Sequence, residues 1–238
     1  MLCEKKGDSC PMNEPLKFKL FSVYGQILNM KVLSTAWEHV KANKGAGGVD
    51  GISIEDYEKN LSANLNNLLD SLKQKTYKPS PVKRVYIPKK NGKKRPLGIP
   101  VIQDRIVQQA LADRLQPFFE KEVFHDSSCG FRTGRGVQDA IERVLRNIED
   151  RYWYIYDFDI KGCFDNIPHK HLMKVLNKYI SDGTVLDIIW KSLKAGYMED
   201  GKQYTLDAGT VQGAVFSPLC ANIYLNELDW NWHQRRRM

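Results

Sequence analysis

Long apolar runs are missing from this chain of 238 residues. No stretch approaches the ~18 consecutive apolar residues that a membrane-spanning helix needs. The opening MLCEKKGDSCP has no apolar signal-peptide core, so a soluble intracellular protein is expected. Cysteine is sparse: Cys3, Cys10, Cys129, Cys163 and Cys220 are odd in number, scattered and without a Cys-x-x-Cys pair. That spacing argues against a disulfide framework and against a structural zinc site. The phosphate-binding pattern Gly-x-x-x-x-Gly-Lys-Ser/Thr does not occur, which excludes a P-loop nucleotide site. Internal repeats, low-complexity linkers and the dipeptide Asp-Asp are also missing.

What the chain does have is a substantial apolar fraction, 42%, with 11% aromatic residues, enough for a core of one large or two smaller domains. The formal net charge is +8, and its distribution is uneven. Between Lys73 and Arg105 there are eleven Lys or Arg against one acid, Asp104, a local net of +10, so the other 205 residues sum to −2. A surplus serving solubility would be spread along the chain. Concentrated in 33 residues, it marks either a surface that meets phosphates or a solvated charged hairpin.

The periodicity predicts helices over residues 27–42, through the sixties to Leu72, over 102–118 and 137–148, and near 169–181 and 184–195. Ser53, three residues before Asp56, has the spacing of a helix N-cap. Residues 82–88 and 94–100 are β-like runs around Asn91-Gly92, a tight-turn signal, and predict a hairpin whose tip carries Lys89, Lys90, Lys93, Lys94 and Arg95. Pro88, Pro96 and Pro100 make its strands edge-like. A second hairpin is expected around Asp200-Gly201. The run YIYDFDIKGCFDNI at 154–167 makes residues 152–160 the best strand candidate in the chain. In a strand Asp157 and Asp159 would share one face and could bind a divalent cation; the alternative is a pair of exposed aspartates, or one capping the following turn. The fold class expected is α+β, a basic hairpin lobe joined to a lobe built on a carboxylate-bearing strand.

Six blocks, in order and without large gaps, resemble the reverse-transcriptase region of group II intron-encoded proteins, the reverse transcriptase/maturases. They are KGAGGVDG at 44–51, TYKPSPVKRVYIPKKNGKKRPLGIP at 76–100, QDRIVQQAL at 103–111, SSCGFRTGRG at 127–136, FDIKGCFDNI at 158–167 and GTVQGAVFSPLCANIYLNELD at 209–229. The resemblance implies the fingers and an incomplete palm of a right-hand polymerase: a helical N-terminal extension at 1–32, fingers at 33–151 and partial palm at 152–238. Asp159 matches the first metal-binding aspartate, which settles the choice between it and Asp157, and the Ile160 carbonyl completes its shell. Phe164 matches the aromatic that lies under the incoming sugar, although a core phenylalanine is the commoner use of that residue. Lys89 and Arg95 match cations that clamp the triphosphate, while Gln212 and Gly213 match the segment packed on the nascent base pair. Lys83, Arg84, Lys90, Lys93 and Lys94 would face RNA. Arg132 and Arg135 are template contacts or links between the lobes. His169 and His171, opening a helix, read as polar surface.

The chain departs from the family pattern at Val211 and Thr133, where proline is usual, at Ala214, where a second glycine is usual, and at Cys129 and Cys163, commonly aromatic. The Tyr-x-Asp-Asp turn that supplies the family's further carboxylates has no counterpart. The implied function is RNA-directed DNA synthesis with two Mg²⁺ ions, coupled to intron mobility and a maturase role in RNA splicing. The implied partners are group II intron RNA, an RNA template with DNA primer, and a dNTP, with no membrane, in a bacterial-type cytoplasm. This chain alone is expected to bind RNA without polymerising. Another bacterial reverse transcriptase, diversity-generating or defensive, and a non-catalytic RNA-binding splicing cofactor are the competing readings.

Overall fold

A computed structural model describes residues 19–88, 92, 94–210 and 213–235. The first helices show how the local sequence chooses its boundaries. A single helix was expected over 27–42, but the chain forms α1 (Val23–Ile27) and α2 (Met30–Ala42). Asn29 separates them, because its side chain accepts from Lys31 N at 2.8 Å and caps α2 in an extended conformation. Ser53 likewise caps α3 (Ile54–Lys59), its hydroxyl accepting from Asp56 N at 3.0 Å. In α4 (Leu61–Lys73) the leucine series buries Leu65, Leu68, Leu69 and Leu72, as its spacing predicts.

The centre of the molecule is α5 (Ile102–Glu122), a 21-residue helix against which α1 and α2 pack. It buries Ile106, Ala110, Leu111, Leu115 and Phe119; Phe118, expected on that face, is only partly buried. Each fully buried large side chain contributes roughly 1.5–3 kcal/mol. Behind α5 lie α8 (His169–Tyr179), α9 (Gly183–Lys194) and α10 (Ser217–Arg235), and the core is continuous from Trp37 to Phe119, Tyr179 and Ile223. Among the described residues no helix is long and apolar enough to cross a membrane.

The basic segment forms the expected antiparallel hairpin, β1 (Val82–Pro88) and β2 (Lys94–Ile99), with Ile87 opposite Arg95 and Pro88 opposite Lys94. The second hairpin forms too: β3 (Tyr197–Glu199) and β4 (Lys202–Tyr204) are joined by Asp200 and Gly201, both at positive φ. Two positive φ values in a two-residue loop match the right-handed twist of the flanking strands. β3 adds to β1 in parallel, Val82 opposite Tyr197, so both hairpins share one four-stranded sheet in the order β2-β1-β3-β4.

One expectation fails. Residues 152–160 are not a strand; they run as irregular chain that pairs with none of the four strands, and Tyr154 and Tyr156 are 89% and 86% exposed. Aromatic and β-branched composition favours a strand only where a neighbouring strand takes up the backbone groups. Asp157 and Asp159 therefore do not sit on a common strand face. The preceding helix α6 (Val137–Glu149) forms as its pattern predicts, yet its apolar residues Val137, Ile141, Val144 and Leu145 stay exposed. An unburied helix stripe and an unpaired strand-like segment, consecutive in sequence, leave a broad apolar surface uncovered.

Candidate nucleotide and nucleic-acid site

The segment after the irregular stretch turns sharply. Gly162 takes a left-handed conformation and starts the short helix α7 (Cys163–Asn166), with Asp159 and Ile160 exposed just before it. Burial, with the nearby charge of Asp159 adding to it, pushes the Cys163 thiol up. The residues following Tyr204 return alongside α7: Thr210 N donates to Phe164 O at 2.7 Å, and Gly209 N to Ile167 O at 2.8 Å. Here two glycines are required by close approach. A Cβ on Gly209 would stand 2.9 Å from Asp165 O, and one on Gly213 would stand 2.8 Å from Gly98 O. Gly209 is thereby laid against α7 and Gly213 against β2.

His169 fixes that loop from below. Its Nε2 lies 2.7 Å from Gly209 O, its backbone N donates to Asp207 O at 3.1 Å, and burial lowers its pKa. The expected polar-surface histidine is thus an interior one; no spacing signal distinguishes it from the exposed His171 two residues on.

A cavity of about 250 Å³ opens between the sheet and this loop, lined by Arg84, Gly98 and Tyr197 on one side and by Asp165, Gly209 and Thr210 on the other. Of the expected site residues, Arg84 lines this cavity; Phe164 adjoins it through its carbonyl bond to Thr210 N, and Gly213 abuts Gly98. Phe164 is partly buried and meets Phe131 edge to face, with centroids 6.1 Å apart. Lys83, Lys94 and Arg95 lie exposed along the hairpin. Lys89, Lys90, Lys93 and Gln212 lie outside the described residues.

The two loop arginines separate. Arg132 is removed from the RNA-facing set: its side chain is fully buried, donating from Nε to Glu120 Oε2 at 2.6 Å and from Nη1 to the carbonyls of His125 and Ser128. Its guanidinium also lies 4.5 Å from the Phe124 ring centroid, so no face is left for a phosphate. Arg135 keeps partial exposure but pairs with Asp126, Nη2 to Oδ1 at 2.7 Å, and this bond holds the Asp126 carboxyl below its usual range.

Two residues that charge counting assigned to the basic surface, Asp104 and Arg105, are buried. Asp104 accepts from Tyr77 Oη at 2.6 Å and Ser80 N at 2.8 Å, and burial pushes its pKa up to about 6. Arg105 donates to Pro100 O at 2.8 Å and to Ala46 O, tying the glycine-rich 43–51 loop to the foot of the hairpin.

A divalent ion here would find a partial donor set. Among the described residues no group of three His, Cys, Asp or Glu could hold a metal ion. Asp159 and the Ile160 carbonyl are exposed oxygen donors, which suits an ion that takes most of its ligands from phosphate and water and does not suit a closed protein cage.

Comparison with known proteins identifies the family. The reverse transcriptase (RNA-dependent DNA polymerase) family model matches residues 87–237. The group II intron-encoded protein LtrA of Lactococcus lactis subsp. cremoris is 40% identical over 208 residues, which cover 87% of this chain and 34% of that protein. Protein YkfC of Escherichia coli (strain K12) is 41% identical over 200 residues, 82% of this chain and 52% of its own. An uncharacterised 91 kDa protein in the cob intron of Schizosaccharomyces pombe is 35% identical, with 85% and 25% covered. The chain thus spans a third of LtrA and about half of YkfC. Among solved structures, a chain of a partial Cas6-RT-Cas1–Cas2 complex superposes with a TM-score of 0.59 at 20% identity, covering 89% of this chain and 35% of that one, a likeness of fold. The matched family uses divalent metal ions. With more than half its length matched, the chain belongs to the reverse transcriptase family and is similar to its group II intron-encoded members.

Proposed function

We propose that this chain is the fingers and the nucleotide-facing part of the palm of a group II intron-encoded reverse transcriptase, a cytoplasmic protein that binds intron RNA and assists its splicing. The observation that carries the reading is the close approach of Gly209 to Asp165 and of Gly213 to Gly98, with Thr210 N bonded to Phe164 O. This packing makes a cleft whose one wall is the basic hairpin and whose other wall follows directly on Asp159. Arg95, with Lys89 beyond the described residues, neutralises the triphosphate of an incoming dNTP. Phe164 packs beneath the sugar, and Gly213 with Gln212 supports the nascent pair of primer and RNA template.

Asp159 and the Ile160 carbonyl would hold Mg²⁺. In the two-ion scheme, bound Mg²⁺ supplies charge neutralisation at the attacking and leaving oxygens. The sequence contains no Asp-Asp dipeptide that could supply the further palm carboxylates. The chain by itself therefore binds RNA and does not extend a primer.

Primer extension with RNA template, DNA primer, dNTPs and Mg²⁺ tests this. The expected result is no extension by the chain alone, and extension once a polypeptide carrying the remaining palm carboxylates is supplied, lost again with Asp159→Ala. Extension that survives Asp159→Ala would remove the assignment. Tight binding to one intron RNA, with no extension even after complementation, would favour the splicing-cofactor reading.

A further inference from the structure

On the sheet face toward the cleft, four residues from the four strands lie close together, with Arg84 reaching diagonally to Tyr197, whose register partner on β1 is Val82. Gly98 of β2 is paired with Arg84 of β1, and Tyr197 of β3 is paired with Tyr204 of β4. The Arg84 guanidinium carbon lies 3.3 Å from the centre of the Tyr197 ring. The Tyr197 and Tyr204 rings are stacked, centroids 5.1 Å apart and planes 15° from parallel. At one end Arg84 and Tyr197 line the 250 Å³ cavity; at the other, Tyr204 is 43% exposed on a strand whose three residues all face solvent. A pair of rings packed to stabilise a core would be covered, whereas this stack is open at its outer end.

Its surroundings carry charge suited to a polyanion. Lys94, paired with Pro88, lies on the same face of the hairpin as Arg84, while Lys83 and Arg95, one residue out of phase, project from the other face. Two of the acids nearby are engaged, Glu199 accepting from Tyr86 Oη at 2.6 Å and Asp207 pairing with Lys194, while Asp165 lines the same cavity and Asp200 is exposed in the β3–β4 turn. Stacked aromatic rings beside a basic track are what single-stranded nucleic acid requires, because every base offers a π-face and the backbone needs cations.

We propose that the group Arg84, Tyr197 and Tyr204 is a stacking platform for unpaired bases of single-stranded RNA, the outer face of Tyr204 receiving a base while Lys94, on the same face, meets the phosphates. The platform rests on the reading that this chain binds RNA. Arg84 acts by holding Tyr197 in place, and Tyr204 makes the contact. Single-stranded RNA is favoured over a duplex because the bases of a duplex are stacked on one another and present no free face.

The test measures binding of a 2-aminopurine-labelled single-stranded RNA and of an RNA duplex by wild type, Tyr204→Leu and Tyr204→Phe. Thermal melts confirm that the exposed substitutions leave the fold intact. Tyr204→Leu is expected to weaken single-strand binding by roughly 10-fold or more, the scale of one lost stacking contact, and to abolish the change in 2-aminopurine emission. Duplex binding and the salt dependence should be unchanged, and Tyr204→Phe should bind as wild type. Single-strand affinity and emission unaltered in Tyr204→Leu, or equal losses for single strand and duplex, would overturn the platform while leaving RNA binding standing. Absence of salt-dependent RNA binding by wild type would remove the functional reading and the platform with it.

Discussion

Asp104 shows at the scale of one residue how burial changes what a charge does. In the folded protein its pKa stands at about 6 against an ordinary value of 3.8, because desolvation outweighs the bonds from Tyr77 and Ser80. Between those values the folded state binds a proton that the unfolded chain has released. Stability from this group therefore rises as pH falls through about 6 and levels off below 3.8. His169 acts with the opposite sign: its folded pKa is lowered, so stability is lost as pH falls below the ordinary value of 6.5. Asp104→Asn keeps an oxygen for Ser80 N and removes the titration. Its stability relative to wild type, from urea unfolding at pH 5 and pH 7.5, should be greater at pH 7.5; an unchanged difference between the two pH values would mean that Asp104 does not titrate there. Gly213→Ala is expected to cost about 1–3 kcal/mol, since its φ of +102° is strained for any L side chain and the new Cβ would meet the Gly98 carbonyl. Calorimetry reads this directly, and a melting temperature equal to wild type would show that the loop does not press on β2.

At the scale of elements, the start of α3, the apolar face of α4 and both hairpins were legible because their signals are local: Ser53 as a cap, leucines at helical spacing, and Asn91-Gly92 and Asp200-Gly201 as turn signals, whereas the break at Asn29 was not read. Residues 152–160 were not legible, because a strand is a property of two segments and composition reports only one. The same reason hid the pairing of β3 with β1, which joins residues more than a hundred positions apart. Buried ionic groups were equally illegible. Arg132 and Arg135 sit three residues apart in one loop, yet one is sealed against Glu120 and Phe124 and the other is half at the surface. Nothing in GFRTGR tells them apart. Phe164 and Gly213 were singled out by resemblance, while His169, whose Nε2 lies against Gly209 O, gave no sequence signal. Because residues 153–160 pair with no strand, their amides should exchange with deuterium within seconds at neutral pH, while those of α5 remain protected. Slow exchange across 153–160 in the isolated chain would contradict the unpaired state described here. Addition of a polypeptide that completes the palm should confer protection on this segment and reduce the dye-binding apolar surface of α6.

For the whole molecule, one sheet brings the basic hairpin and the hairpin after α9 together above a helical core, and the cleft lies where that sheet faces α7 and the 209–213 loop. Separation of charge follows this plan: Lys83, Arg84, Lys94 and Arg95 lie on the sheet, and outside residues 73–105 the chain is close to neutral. The association with RNA is therefore governed by phosphate neutralisation, and its signature is salt dependence. The most direct measurement is the affinity of the chain for single-stranded RNA from low to physiological salt, for wild type and for a variant with Lys83, Lys94 and Arg95 replaced by alanine. The logarithm of affinity should fall linearly with the logarithm of salt concentration, and the triple variant should flatten the slope by about two, given roughly 0.7 per phosphate contact on a single strand. An affinity indifferent to salt, or a slope that the three substitutions leave unchanged, would contradict the assignment of this hairpin to RNA.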